Sequence, residues 1–149
     1  MLVQLTQEPL AAETLVGAVR RDASGAVTLF YGVVRNHNEG RGVLFLEYEA
    51  YPELAEKQLR AVGTEILDRY PIDDIAIAHR IGRLEIGETS LLVAVASAHR
   101  AQAFEACHAA VDRIKETVPI WKKEHWAGGG VWLDGTPVSV PDQQPEPAS

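Results

Sequence analysis

The period of the apolar positions changes several times along the chain, and each change predicts an element. Residues 2–5 read as a short strand. Pro9 sits where a helix begins, and Leu10, Leu15, Val16 and Val19 recur at helical spacing up to Arg20 and Arg21. Asp22-Ala23-Ser24-Gly25 is a stop and turn. Ala26 to Val34 is a nearly continuous apolar, β-branched and aromatic run, which predicts a buried strand. A polar loop with two glycines follows, Arg35 to Gly42. Val43 to Ala50 sets Leu44, Leu46 and Tyr48 against Phe45, Glu47 and Glu49, a strand with one buried face. Together the two strands and the loop predict a long hairpin.

Pro52 opens the most regular helix, with Leu54, Ala55, Leu59, Val62, Ile66 and Tyr70 on one side and Pro71 at its end. Ile75 to Ile81 alternates again, with Ile75, Ile77, His79 and Ile81 on one face. Gly82 to Glu88 reads as a turn and Leu91 to Ala96 as a central buried strand. A further helix runs from about Ala101 to Thr117, its stripe formed by Phe104, Cys107, Val111 and Ile114. Pro119 disfavours helical geometry at Val118. Residues 120–126 are compact, aromatic and basic. After Gly128-Gly129-Gly130, a small hairpin of Val131–Leu133 with Val138–Val140 is expected, its turn type open. The order of elements is α+β: hairpin-like strand pairs in a largely antiparallel sheet, with about three helices between. The expected organisation is a single domain over 1–140 and a Pro-rich, disordered tail over 141–149.

At 149 residues, the chain is long enough to hold a core without staples. Cys107 is its single cysteine, which excludes an internal disulfide framework and a cysteine-based zinc site and points to the cytoplasm. The N-terminus does not read as a signal peptide, and no apolar run is long enough to span a membrane. The formal net charge is −7, the wrong sign for a general nucleic-acid binder. Residues 134–149 hold three acids and no lysine or arginine, so the remainder still carries −4. An anion site must therefore be a local basic cluster, which charge screening over about 8 Å permits.

Nucleotide-binding glycine loops, the GxSxG elbow and HExxH are absent, and the histidines at 37, 79, 99, 108 and 125 show no metal-ligand pair. Cys107 lies mid-helix among apolar residues, the setting of an inert thiol. The residues that invite chemistry are basic and stand at element ends. Arg35 closes a buried strand. His99 and Arg100 precede a helix, where an arginine either attracts phosphate or carboxylate or merely solvates the helix end. Lys115 lies one turn before that helix ends, and Lys122 follows the break at Pro119. Seven residues of unbroken helix would place the two lysines on one face, but the break leaves this open. The aromatic surroundings favour partial desolvation of one lysine, which suits acid–base work. Arg80 and Arg83 have a weaker claim, and Glu47 and Glu49 read as a solvated face.

Five segments together resemble the large, catalytic subunit of molybdopterin synthase: FYGVVRNHNEG (30–40), LEYEAYPELAEKQL (46–59), IAHRIGRLEIGE (77–88), HRAQAFEAC (99–107) and DRIKETVPIWKKE (112–124). Each is modest alone; five in order at family-like spacing are specific. The resemblance implies the α/β-hammerhead fold and a heterotetramer, built on a homodimer of this chain with a small ubiquitin-like sulfur carrier at each end. The carrier's Gly-Gly C-terminus, activated as a thiocarboxylate, would thread into a pocket. The substrate would be cyclic pyranopterin monophosphate, and the product the dithiolene of molybdopterin, a step of molybdenum cofactor biosynthesis. Neither a cofactor nor a metal is implied, and no nucleophilic cysteine is needed, because the carrier brings the sulfur.

By motif position, Lys115 and Lys122 match the family's catalytic lysines. The resemblance implies that Lys115 stands nearest the thiocarboxylate, as an acid–base group or through a transient adduct. It implies that Lys122 stabilises developing charge and helps hold the substrate. Arg35 would bind substrate phosphate or pterin. His99 and Arg100 match a pair that reaches into the neighbouring protomer's pocket, and Phe30 and Trp121 would shape pocket walls. Two other readings remain. One is a non-catalytic module of the same fold that binds anions or the carrier tail. The other is a metal-free phosphoesterase using Arg35, Arg100 and His99, which lacks an evident nucleophile.

Overall fold

The computed structural model describes residues 1–135. The expected strand at 138–140 and the tail at 141–149 lie outside the described residues. In chain order the elements are β1 (Leu2–Thr6), α1 (Ala12–Val19), β2 (Ala26–Val33), β3 (His37–Asn38), β4 (Arg41–Ala50) and α2 (Pro52–Arg69). They continue with β5 (Asp74–Arg80), β6 (Gly82–Glu85), β7 (Thr89–Ser97), α3 (Arg100–Thr117), β8 (Ile120–Trp126) and β9 (Val131–Gly135). The fold is α+β, as the pattern of elements predicts.

Two sheets divide the strands. The first has the order β1-β5-β7-β2, with β1 parallel to β5 and the other pairs antiparallel. Its central strands β5 and β7 are buried on both faces, which explains their unbroken apolar runs. Ile75, Ile77, Val93 and Val95 meet α2 and α3 on one side. Ala76, Ala78, Ala94 and Ala96 meet Leu15 and Val19 of α1 on the other. Pro52 stands in the first turn of α2, where its missing N–H costs nothing, and Leu59 and Ile66 are fully buried. Burying each such side chain contributes about 1.5–3 kcal/mol.

The second sheet has the order β3-β4-β8-β9, with β6 also paired to β4. Its small core is Val34, Val43, Leu46 and Leu84. Asn38 and Arg41 pair across a two-residue turn in which Glu39 and Gly40 both have positive φ, at 49° and 77°. That is the type I′ geometry whose twist matches a hairpin.

Several expectations are corrected. Residues 26–34 and 43–50 do not form one hairpin: β2 pairs with β7 and β4 with β8 and β6. The loop between them crosses from one sheet to the other. Pairing with the doubly buried β7 gives β2 a long ladder that a bent hairpin would not. The stretch from Gly82 is not only a turn, since Gly82–Glu85 pairs with β4 before the tight turn at Gly87. Residues 120–126 form a strand, and β9 pairs with this strand through the glycine turn. Helix α1 starts at Ala12, three residues after Pro9. On α3 the buried stripe is Ala103, Ala106, Cys107, Ala110, Val111 and Ile114, and Phe104 lies outside it at 63% exposure.

Candidate functional site

Where the C-terminal end of α3 meets both sheets, the chain encloses a cavity of about 180 Å³. Gly32 and Val33 at the end of β2 and Ser90 of β7 form one wall. Leu46 and Tyr48 of β4 form another. Three cations line it: Arg35, Lys115 and Lys122.

Each cation is placed by a local device. Val34 donates its N–H to the Glu88 carbonyl at 2.9 Å and accepts from Gly87 at 2.9 Å, so the end of β2 is pinned just before Arg35. Lys115 occupies the last turn of α3, where the helix dipole favours a cation. The helix stops because Val118, the residue before Pro119, is extended, at φ −86° and ψ 123°. β8 begins two residues later, and Lys122 pairs across β4 with Tyr48. Lys115 is exposed and Lys122 half-buried.

Glu124 is the carboxylate among these cations. It is 2% exposed and lines the same cavity. Asn38 donates to its Oε1 at 2.7 Å, and Lys122 Nζ lies 3.7 Å from the same oxygen. Oε2 has no hydrogen-bond partner among the described residues. Glu124 and Lys122 sit two apart on β8, so both side chains take the same face of the strand.

His79 lies behind the site, with Tyr48 between. The two rings meet edge to face with centroids 5.3 Å apart. The imidazole Nδ1 donates to the Arg80 carbonyl at 2.8 Å. Burial, with the Lys115 charge as a lesser cause, holds His79 down to about 4, so it is neutral near pH 7. Cys107 is buried under β7, 3.9 Å from the Val93 carbonyl, and burial pushes its thiol up. That disfavours the thiolate a nucleophile needs. Among the described residues no group of three His, Cys, Asp or Glu is placed to hold a metal ion, and no helix is long and apolar enough to cross a membrane.

The structure does not bring every sequence-predicted residue together. His99 is the N-cap of α3 and Arg100 its first residue. At 1.5 Å rise per residue, Arg100 lies roughly 22 Å along the helix from Lys115, and neither His99 nor Arg100 lines the cavity. Phe30 and Trp121 are not walls of it either. Phe30 faces a separate apolar groove beside α3, and Trp121 packs its ring edge against Tyr51 at 6.0 Å. The residues missed from sequence are Asn38, Tyr48 and Glu124. For Glu124 the signal is its spacing, two after Lys122, which becomes a shared face only once 120–126 is a strand.

Fold and site together define an α+β protein with a cation-lined cavity suited to an anionic small molecule. Residues 5–117 match the family described as MoaE protein. The molybdopterin synthase catalytic subunit of Halalkalibacterium halodurans is 45% identical over 129 residues, which cover 87% of this chain and 83% of that one. The crystal structure of molybdopterin synthase from Staphylococcus aureus superposes with a TM-score of 0.84 at 42% identity, covering 89% of this chain and 96% of that one. A complex of subunits 1 and 2 of molybdopterin-converting factor from Helicobacter pylori shares the fold at a TM-score of 0.68 and 23% identity, over 84% of this chain and 85% of that one. The chain belongs to the MoaE family, the catalytic subunits of molybdopterin synthase.

Proposed function

We propose that this chain transfers sulfur from the thiocarboxylated Gly-Gly terminus of a small carrier subunit to cyclic pyranopterin monophosphate. The observation that carries this reading is the convergence of Arg35, Lys115 and Lys122 on one cavity in an otherwise acidic chain. The substrate's phosphate and the carrier's thiocarboxylate are both anions, and each needs a cation beside it. Arg35, exposed at the end of β2, suits bidentate phosphate binding. Lys115 stands nearest the sulfur and the reacting carbon, moving a proton or forming a transient adduct. Lys122 stabilises charge that develops as sulfur bonds to carbon and helps hold the substrate. The sulfur comes from the carrier, so the inert setting of Cys107 fits this chemistry.

The site is shared between two copies of this chain. Arg100 lies roughly 22 Å along the helix from Lys115 of its own chain. The family resemblance implies that His99 and Arg100 reach a neighbour's cavity, and this distance is compatible with that. The surface for that pairing is β2, the edge of the first sheet. Its Val27, Leu29, Tyr31 and Val33 point outward and are 37–50% exposed. Such a row on an edge strand calls for a partner. With one carrier per protomer the assembly is a heterotetramer.

The test is reconstitution. This chain is mixed with a thiocarboxylated carrier and the cyclic pterin monophosphate, and the dithiolene product is followed through its fluorescent oxidised derivative. Product that depends on Lys115 supports the reading. Tight carrier binding without product leaves the non-catalytic binding module.

A further inference from the structure

We propose that Glu124 is a positioning residue for Lys122, itself held in register by Asn38. The proposal rests on the sulfur-transfer reading for its effect on turnover, but not for the contact itself. Glu124 is nine-tenths buried and more, and a buried carboxylate is strongly destabilising unless a cation and hydrogen bonds compensate it. One amide hydrogen bond from Asn38 does not offset that cost. The remaining compensation comes from the Lys122 ammonium, 3.7 Å from the same oxygen.

The constraint acts in both directions. A lysine side chain has four rotatable bonds and gives up much rotamer freedom when fixed. In the cavity, Lys122 is of use only if its charge stands where charge develops. Glu124 fixes one end of that geometry from the same strand face, and Asn38 fixes Glu124 from the β3–β4 turn. Nothing in this requires Glu124 to touch the substrate. The arrangement also leaves the cavity with a surplus of cations, since Arg35 and Lys115 lie beside the pair.

A purely structural role is the competing account: Glu124 could simply tie the β3–β4 turn to β8. A double-mutant cycle separates the two. Glu124→Gln keeps an acceptor for Asn38 and removes the charge. It is expected to lower kcat roughly tenfold, the size of a typical contact coupling, with KM within about twofold. In the Lys122→Ala background the same substitution should change kcat no further. A full tenfold loss in both backgrounds, or no loss in the first, overturns the proposal.

A second measurement does not need turnover. Competitive acetylation of the full chain reports the reactivity of each lysine amine. Relative to exposed Lys57, Lys122 should be acetylated several-fold faster in Glu124→Gln and in Asn38→Ala than in the unaltered chain. Unchanged labelling of Lys122 in both variants overturns the proposal. If the unaltered chain makes no product, the sulfur-transfer reading fails instead, and the labelling alone decides the contact.

Discussion

Lys115 and Lys122 belong to different kinds of secondary structure, the last turn of a helix and the third position of a strand, yet they line one cavity. The junction at Val118-Pro119 makes this possible. It ends α3, turns the chain within two residues and sends β8 back along β4. A continuous helix would have set the lysines about two turns apart on one exposed face. The break instead folds a flexible, exposed lysine and a half-buried one toward the same space.

That placement gives the first prediction. Lys115→Ala should abolish product, by at least about a hundredfold, the lower end of what a positioned acid–base group supplies. Lys115 is exposed, so the stability change should stay within about 0.5 kcal/mol. Lys115→Arg keeps the charge but cannot give up its proton near neutral pH. It should be nearly as inactive if the lysine moves a proton, and largely active if only its charge matters. Steady-state turnover with a denaturant curve on each variant separates the cases. Wild-type turnover in Lys115→Ala would remove this residue from the chemistry.

Much of the fold was legible in the chain, and the reasons are particular. Pro52 and Pro71 bracket α2, and the apolar stripe between them has one period, so its limits followed from sequence. The alternation over 75–81 and the apolar run 91–96 both showed strands, but only the second showed as buried; that β5 is also covered on both faces was not legible in its alternation. Strand partners were not legible. β2 and β4 are adjacent in sequence and joined by a glycine-containing loop, which is also how a hairpin looks. Their separation depends on β7 and β8, which arrive more than fifty residues later. Phe104 misled for a different reason: a large apolar residue reads as core, while the helix buries three alanines and leaves the phenylalanine outside. The basic residues of the cavity were visible by type, Glu124 only through the strand that places it.

The distance along α3 yields a prediction that needs two protomers. Arg100→Ala and Lys115→Ala chains should each be inactive as pure dimers. Mixed dimers should regain activity, because one of the two sites then holds both an intact Lys115 and an intact Arg100. At random assortment half the dimers are mixed and each has one good site, so about a quarter of wild-type activity is expected. The readout is product formed after the two variants are co-expressed or unfolded and refolded together. Activity no higher than in the separate variants would place Arg100 outside the shared site.

The bare face of β2 can be tested by charge. Leu29 and Tyr31 are 38% and 48% exposed, so Leu29→Glu with Tyr31→Glu leaves the buried core untouched. In a homodimer sealed by this strand, the four added carboxylates would lie close together and desolvated. The double variant should therefore run as a folded monomer in analytical ultracentrifugation, with an unchanged circular dichroism spectrum and no sulfur transfer. A persisting dimer would move the interface elsewhere on the surface.

The last prediction follows from His79. Its folded-state value is depressed from 6.5 to about 4, chiefly by burial. Between those values the unfolded chain binds a proton that the folded chain refuses, so stability rises with pH there. The contribution is fully present above pH 6.5 and is lost as the pH falls toward 4, by up to about 3 kcal/mol at 1.36 kcal/mol per unit. His79→Asn keeps a donor for the Arg80 carbonyl and cannot titrate. Denaturant unfolding at pH 7.5 and pH 4.5 should show the unaltered chain losing about 2–3 kcal/mol more than the variant. The Lys115 charge is one of the forces keeping this imidazole neutral, so Lys115→Ala should shift the acid limb of the unaltered chain to lower pH. Parallel acid limbs for the His79→Asn and unaltered chains would show that the imidazole titrates freely, and that the link between this buried ring and the cavity is absent.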